Sequence, residues 1–86
     1  MEFEFDNKKS ERNEKKHGIN FSEAQNLWKD NNRIEIPLKY LDEKRFLIIS
    51  KVADGYWSAI FTYRKNKIRI ISVRRSRENE KEIYKS

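Results

Sequence analysis

Two kinds of patterning divide the chain. From Asn7 to His17 there is no aliphatic or aromatic residue, whereas from Arg33 onward apolar residues recur with a period close to two. The first stretch predicts a helix from about Asn7 to Lys16, with Asp6 as its cap. It ends in Lys15-Lys16-His17-Gly18, which puts basic residues in the last turn and glycine at the left-handed position. A helix polar on every side has no apolar stripe to bury, so Phe3, Phe5 and Ile19 are expected to anchor its ends. Ser22-Glu23-Ala24-Gln25 reads as a capping box opening a second helix. Phe21, Ala24, Leu27 and Trp28 form its apolar stripe, and Asp30-Asn31-Asn32 ends it.

The period-two region predicts strands. Ile34 and Ile36 alternate with charge before Pro37, which suits an edge strand, and Lys44 to Lys51 reads as a more buried one. Ala53-Asp54-Gly55 is a hairpin signal. Tyr56 to Tyr63 returns, Lys65-Asn66 turns again, and Lys67 to Val73 is the last strand. Ser76 is then expected to cap a C-terminal helix running through about Tyr84. The expected class is α+β: two N-terminal helices, an antiparallel four-stranded sheet with the helices against one face, and a C-terminal helix.

The last hairpin can be resolved further. A two-residue Lys65-Asn66 loop pairs Arg64 with Lys67, Tyr63 with Ile68, Thr62 with Arg69 and Phe61 with Ile70. Phe61, Tyr63, Ile68 and Ile70 then share one face, and Thr62, Arg64, Lys67 and Arg69 share the other. A loop one residue longer would break this segregation.

Length and charge narrow the function. Eighty-six residues with 36% hydrophobic content suit one thin core, so residues 1–86 are expected to form a single domain without a deep two-lobed cleft. There is no cysteine, hence no disulfide framework or thiolate chemistry. No apolar run is long enough to span a membrane. The acidic N-terminus lacks the order of a secretory signal, so a soluble cytoplasmic domain is expected. The net charge of +6 is uneven: residues 1–32 hold six basic and seven acidic residues, residues 33–86 fourteen and seven. Phe61 to Arg77 carries seven basic residues and no acidic one. Such a block favours a polyanion, most often nucleic acid, although a basic face can also serve solubility alone.

Several elements together resemble a known family. Phe3-Glu4-Phe5-Asp6, Lys9, Asn13, Lys16-His17-Gly18-Ile19-Asn20-Phe21-Ser22-Glu23-Ala24, Glu43-x-Arg45, Thr62-Tyr63-Arg64, Arg69-Ile70-Ile71-Ser72-Val73-Arg74, Glu80 and Tyr84 look like the BrnT-type toxins of bacterial type II toxin–antitoxin pairs. The chain departs from the family pattern at Phe5-Asp6 (usually Trp-Asp), Asp30-Asn31 (Asp-Pro) and Ile49-Ser50 (Ile-Gly). The resemblance implies a fold similar to RelE-type toxins and a ribonuclease that inhibits translation and growth. It also implies a BrnA-type, DNA-binding antitoxin as partner, in an assembly of two toxins that binds operator DNA through the antitoxin.

The residues can be weighed against that implication. Metal-free RNA cleavage needs a base for the 2′-OH proton, an acid for the leaving oxygen, and cations for the charge gathering on phosphorus. Guanidinium groups bind phosphate oxygens in pairs and stay charged, so Arg64, Arg69 and Arg74 are candidates, with Arg69 best placed in mid-strand. A cross-strand pair with a carboxylate such as Glu43 is the structural alternative. His17 is the side chain whose ordinary pKa lies near neutrality. It is a candidate base or acid, or simply a C-terminal cap. Lys9, Asn13 and Lys16 share a helix face that suits RNA phosphates, the antitoxin or plain solvent, and Lys67 extends the basic strand face. Glu80 is a carboxylate base or an ordinary helix-surface partner. One histidine and scattered carboxylates make no clustered metal site, and no cofactor is expected. The reading from another class is a non-catalytic basic module that binds nucleic acid without cleaving it.

Overall fold

The computed structural model describes every residue except Tyr40, Leu41 and Asp54, so the middle of the expected Ala53-Asp54-Gly55 turn lies outside the described residues. The elements run β1 (Phe3–Glu4), α1 (Asn7–His17), α2 (Phe21–Ala24) continued by a 3-10 segment (Gln25–Lys29), β2 (Ile34–Leu38), β3 (Arg45–Val52), β4 (Gly55–Arg64), β5 (Lys67–Arg75) and α3 (Glu78–Lys85).

The sheet differs from the expected one. Among the described residues it has five strands in the order β1-β5-β4-β3-β2, and it is mixed. The β1 strand lies parallel to β5, with Phe3 opposite Ile68 and Glu4 opposite Arg69, and the Ile68 N–H donates to the Glu2 carbonyl at 2.8 Å. The antiparallel four-stranded, RelE-like layout is therefore corrected to a five-stranded mixed sheet. The physical reason is the alternation Phe3-Glu4-Phe5 itself. Phe3 turns into the core against Trp28, at 5.1 Å between ring centroids, while Glu4 turns outward to meet Arg69.

The β4–β5 register is the one derived from the two-residue loop, from Arg64 opposite Lys67 to Phe61 opposite Ile70. Lys65 (φ 51°) and Asn66 (φ 65°) both sit in the left-handed region that such a primed turn requires. Beyond Phe61 the ladder shifts by one residue, so that Ile60 faces Ser72, Ala59 faces Val73 and Ser58 faces Arg74. Ile71 is the extra residue of this bulge.

One side of the sheet holds the core. Ile48, Ala59, Phe61, Ile68, Ile70 and Val73 pack against Ile19, Phe21, Ala24, Leu27 and Trp28. Tyr63 shares that side but is 54% exposed, at the edge of the core. The second helix is capped two residues earlier than expected. Asn20 Oδ1 accepts from Glu23 N–H at 2.8 Å while Glu23 Oε1 accepts from Asn20 N–H at 3.1 Å. After four α-helical residues the segment tightens into a 3-10 helix that buries Leu27 and Trp28.

The polar α1 docks by hydrogen bonds in addition to its anchored ends. Its buried residues are Ser10 and Asn13. Ser10 Oγ accepts from Phe21 N–H at 2.9 Å. Asn13 donates to the Ile19 carbonyl at 2.8 Å and accepts from Val73 N–H at 3.1 Å. Val73 lies beyond the reach of β1, so the Asn13 amide replaces a neighbouring strand there. Gly18 closes the helix at φ 77°, its N–H donating to Glu14 carbonyl at 2.8 Å.

The C-terminal helix takes the other side of the sheet, not the side of α1 and α2. Glu80 of α3 is bonded by Ser58 Oγ, and Ser58 points away from the core side that its neighbour Ala59 faces. Arg77, not Ser76, is the capping position of α3. Ser76 Oγ instead bonds Ser58 Oγ at 2.8 Å. The far end of α3 is held by Tyr84, whose hydroxyl donates to Asp30 at 2.7 Å. Asp30 also accepts from Ser50 Oγ and from the N–H groups of Asn32 and Lys51. Burial pushes the Asp30 pKa up, but these donors outweigh it and hold the carboxyl below its ordinary value. The bond to Asp30 raises the Tyr84 hydroxyl to about 12.

Candidate functional site

Arg69 and Arg74 are five positions apart, and in an uninterrupted strand they would point to opposite faces. The bulge at Ile71 removes that difference. Arg69 stands opposite Thr62 and Arg74 opposite Ser58, and both point away from the core. Both guanidinium groups are also gripped. Arg69 Nη1 donates to Glu4 at 2.7 Å, the two side chains being 30% and 29% exposed. The partner is thus Glu4 of β1 and not Glu43, which pairs with Arg45 at 2.8 Å.

Arg74 is held more tightly. Its Nη1 and Nη2 donate to the two Glu80 oxygens at 2.7 and 2.8 Å. The same carboxylate accepts from Arg77 N–H at 2.8 Å and from Ser58 Oγ at 2.9 Å. Since Ser58 donates to Glu80, the Ser76 hydroxyl donates to Ser58. The Arg74 guanidinium, ahead of the other donors, brings the Glu80 carboxyl down to about 2, and Glu80 in turn raises the Arg74 pKa. A carboxylate that acidic is a poor proton acceptor near neutral pH. In this structure both Glu80 oxygens are engaged in holding the Arg74 guanidinium. Ser58 and Ser76 belong to this network, a role expected of neither; Ser76 was expected to cap α3 instead. Only their small polar character at buried strand-end positions could have marked them.

The α1 residues fall along the edge of β5. Asn13 is buried, with its amide spent on Ile19 and Val73, so it is not presented to a ligand. Lys9 and Lys16 flank it and are exposed. His17 lies one helical turn past Asn13 on the same helix face, half-buried, and Val73, which Asn13 contacts, immediately precedes Arg74. Among the described residues the His17 imidazole has no hydrogen-bond partner. Arg64 and Lys67 face each other beside the turn, both exposed, at the opposite end of β5 from Arg74. Arg74 and Glu80 therefore stand at one end of β5, whose edge α1 meets through Asn13. Arg69 stands in mid-strand, and Arg64 with Lys67 stands at the other end.

Beyond the part covered by α3, the outward sheet face is apolar between the cations. Ile36 is opposite Leu47 and Leu47 opposite Ile60, and all three are partly exposed. Among the described residues no three His, Cys, Asp or Glu side chains group as a metal site, and no helix is long and apolar enough to cross a membrane.

Residues 5–80 match the family model described as the ribonuclease toxin, BrnT, of type II toxin–antitoxin systems. No curated protein matches the chain.

Proposed function

The chain belongs to the BrnT family of ribonuclease toxins of type II toxin–antitoxin systems, and from that premise we propose that it cleaves RNA on the outward face of β5. RNA is its substrate and an antitoxin its partner. The observation that carries the location is the bulge at Ile71, which turns Arg69 and Arg74 to one face while Glu4 and Glu80 hold their guanidinium groups.

On this reading Arg69 and Arg74 bind the non-bridging oxygens of the scissile phosphate and stabilise the charge that builds there. The 2′-oxygen attacks phosphorus as its proton leaves, and the bond to the 5′-oxygen breaks as that oxygen gains a proton. His17, on α1, exchanges the proton. Glu80 is a positioning residue for Arg74. Lys9, Lys16, Arg64 and Lys67 hold flanking phosphates, and Asn13 pins α1 to Val73. This chemistry draws its positive charge from guanidinium groups, so cleavage is metal-independent. The expected result is cleavage that continues in excess chelator and leaves 2′,3′-cyclic or 3′-phosphate ends. Loss of cleavage in chelator, restored by Mg²⁺ or Mn²⁺, would overturn the metal-free route.

The antitoxin inhibits by covering the same face. Ile36, Leu47 and Ile60 among surrounding Arg and Lys side chains suit an acidic amphipathic segment, drawn in by charge and seated by apolar contact. A BrnA-type antitoxin, two toxins per assembly and operator binding through the antitoxin complete the proposal.

A further inference from the structure

A second feature lies on the core side of the sheet, where the β4–β5 hairpin projects past the helices. A cleft of about 600 Å³ opens there, lined by Trp28, Arg33, Glu35, Tyr63, Arg64 and Lys65 among others. Tyr63 is 54% exposed, yet its ring is packed on two others. It meets Phe61 edge-on at 5.5 Å between centroids and Phe46 at 5.3 Å, so the exposed ring has aromatic support behind it. Trp28 is 6% exposed and its Nε1–H is buried with no acceptor among the described residues. An unmet buried donor of this kind is costly in a folded protein.

The charges around the cleft are unequal. Glu35 is already engaged by Arg33 at 3.1 Å and by the Tyr63 hydroxyl at 3.3 Å. Glu2 is the other acidic lining residue. Arg64 and Lys65 are exposed and make no ion pair among the described residues, leaving positive charge at the mouth. A second cleft of about 330 Å³, lined partly by Lys44 and Thr62, shares Tyr63 and Arg64 with the first. Thr62 stands opposite Arg69. The two clefts therefore adjoin at Tyr63 and Arg64.

We infer that this cleft is a nucleobase subsite for single-stranded RNA, in which an unstacked base lies on Tyr63 while Arg64 and Lys65 hold its phosphate. A supported aromatic ring beside exposed cations is how proteins hold unpaired bases. The inference rests on the proposed Arg69–Arg74 cleavage face, and it supplies that face with a grip on the substrate some distance from the bond that breaks.

The test uses the full chain and a nuclease-resistant 2′-O-methyl RNA hexanucleotide of mixed sequence, followed by ¹H–¹⁵N spectra. The Trp28 indole resonance and the turn amides of Lys65 and Asn66 should move, while the indole of Trp57, which is outside the cleft, stays. Tyr63→Leu should raise Kd between roughly fivefold and a hundredfold, the range of one lost base stack, and Tyr63→Phe should retain binding. Should Tyr63→Leu not fold, Arg64→Glu with Lys65→Glu, both at exposed positions, should weaken binding and suppress the Trp28 shift. Binding that leaves Trp28 unmoved, or that Tyr63→Leu and the charge reversal leave intact, would overturn the subsite. So would equal affinity for a duplex of the same sequence. Cleavage by Arg69→Ala separates the two ideas. Full-rate cleavage by that variant removes the proposed active face even where the Trp28 shift persists.

Discussion

Replacing Glu80 by glutamine keeps the shape of the side chain and removes its charge from a buried network. The wild-type carboxyl titrates at about 2 against an ordinary value of 4.5, a difference of roughly 2.5 units. At 1.36 kcal/mol per unit this corresponds to about 3 kcal/mol of folding stability. Its side chain is only 7% exposed, so solvent screening removes little of it. Because the folded pKa lies below the unfolded one, the contribution is fully present above about pH 5. It fades as pH falls towards 2, where the folded carboxyl also takes up its proton. Glu80→Gln should therefore cost about 3 kcal/mol at pH 7 and little at pH 2. The total stability of a chain this size is only about 4–13 kcal/mol, so the effect is large. Urea unfolding of both proteins at pH 7, 5, 3 and 2 gives the difference directly, with the other carboxylates cancelling between them. A penalty equal at pH 7 and pH 2, or none at pH 7, would refute the assignment of Glu80 as an ionised anchor for Arg74.

Two further outcomes follow from the same geometry. If His17 carries the proton, His17→Gln should lower the single-turnover cleavage rate by about 10²-fold or more with little change in urea unfolding; an unchanged rate would leave His17 a helix-end residue. Lys65 holds φ at 51°, which costs a non-glycine residue about 1 kcal/mol. Lys65→Asn, better suited to this turn, should raise stability by about 0.5–1 kcal/mol in urea unfolding, and a loss would contradict the turn assignment.

The hairpin register was legible because the two-residue turn and the segregation of Phe61, Ile68 and Ile70 from the cations agree. The edge position of β2 followed from Pro37. What escaped was geometry that depends on a distant partner. Phe3-Glu4 alternates like a strand, but two residues carry too little pattern to announce a parallel pairing with Ile68 and Arg69. The bulge at Ile71 leaves no local mark in Arg69-Ile70-Ile71-Ser72-Val73, where two adjacent isoleucines fit either face. Without it, Arg74 would be assigned to the core side and Val73 to solvent. Ser76 looked like a cap because serine usually is one. The Ser58–Glu80 network claims its hydroxyl, and no sequence spacing reveals that. The polar α1 was correctly seen to need anchoring, yet the hydrogen bonds of Ser10 and Asn13 depend on tertiary partners.

The central claim is that the bulge-aligned pair Arg69 and Arg74 performs the cleavage. It is tested most directly by single-turnover cleavage of a defined RNA by Arg69→Ala and Arg74→Ala, beside urea unfolding of the same proteins. Loss of a transition-state cation should lower the rate by about 10²–10³, whereas loss of the partly exposed Arg69–Glu4 pair should lower stability by no more than about 1 kcal/mol. Folded variants of both that cleave at the wild-type rate would contradict the account.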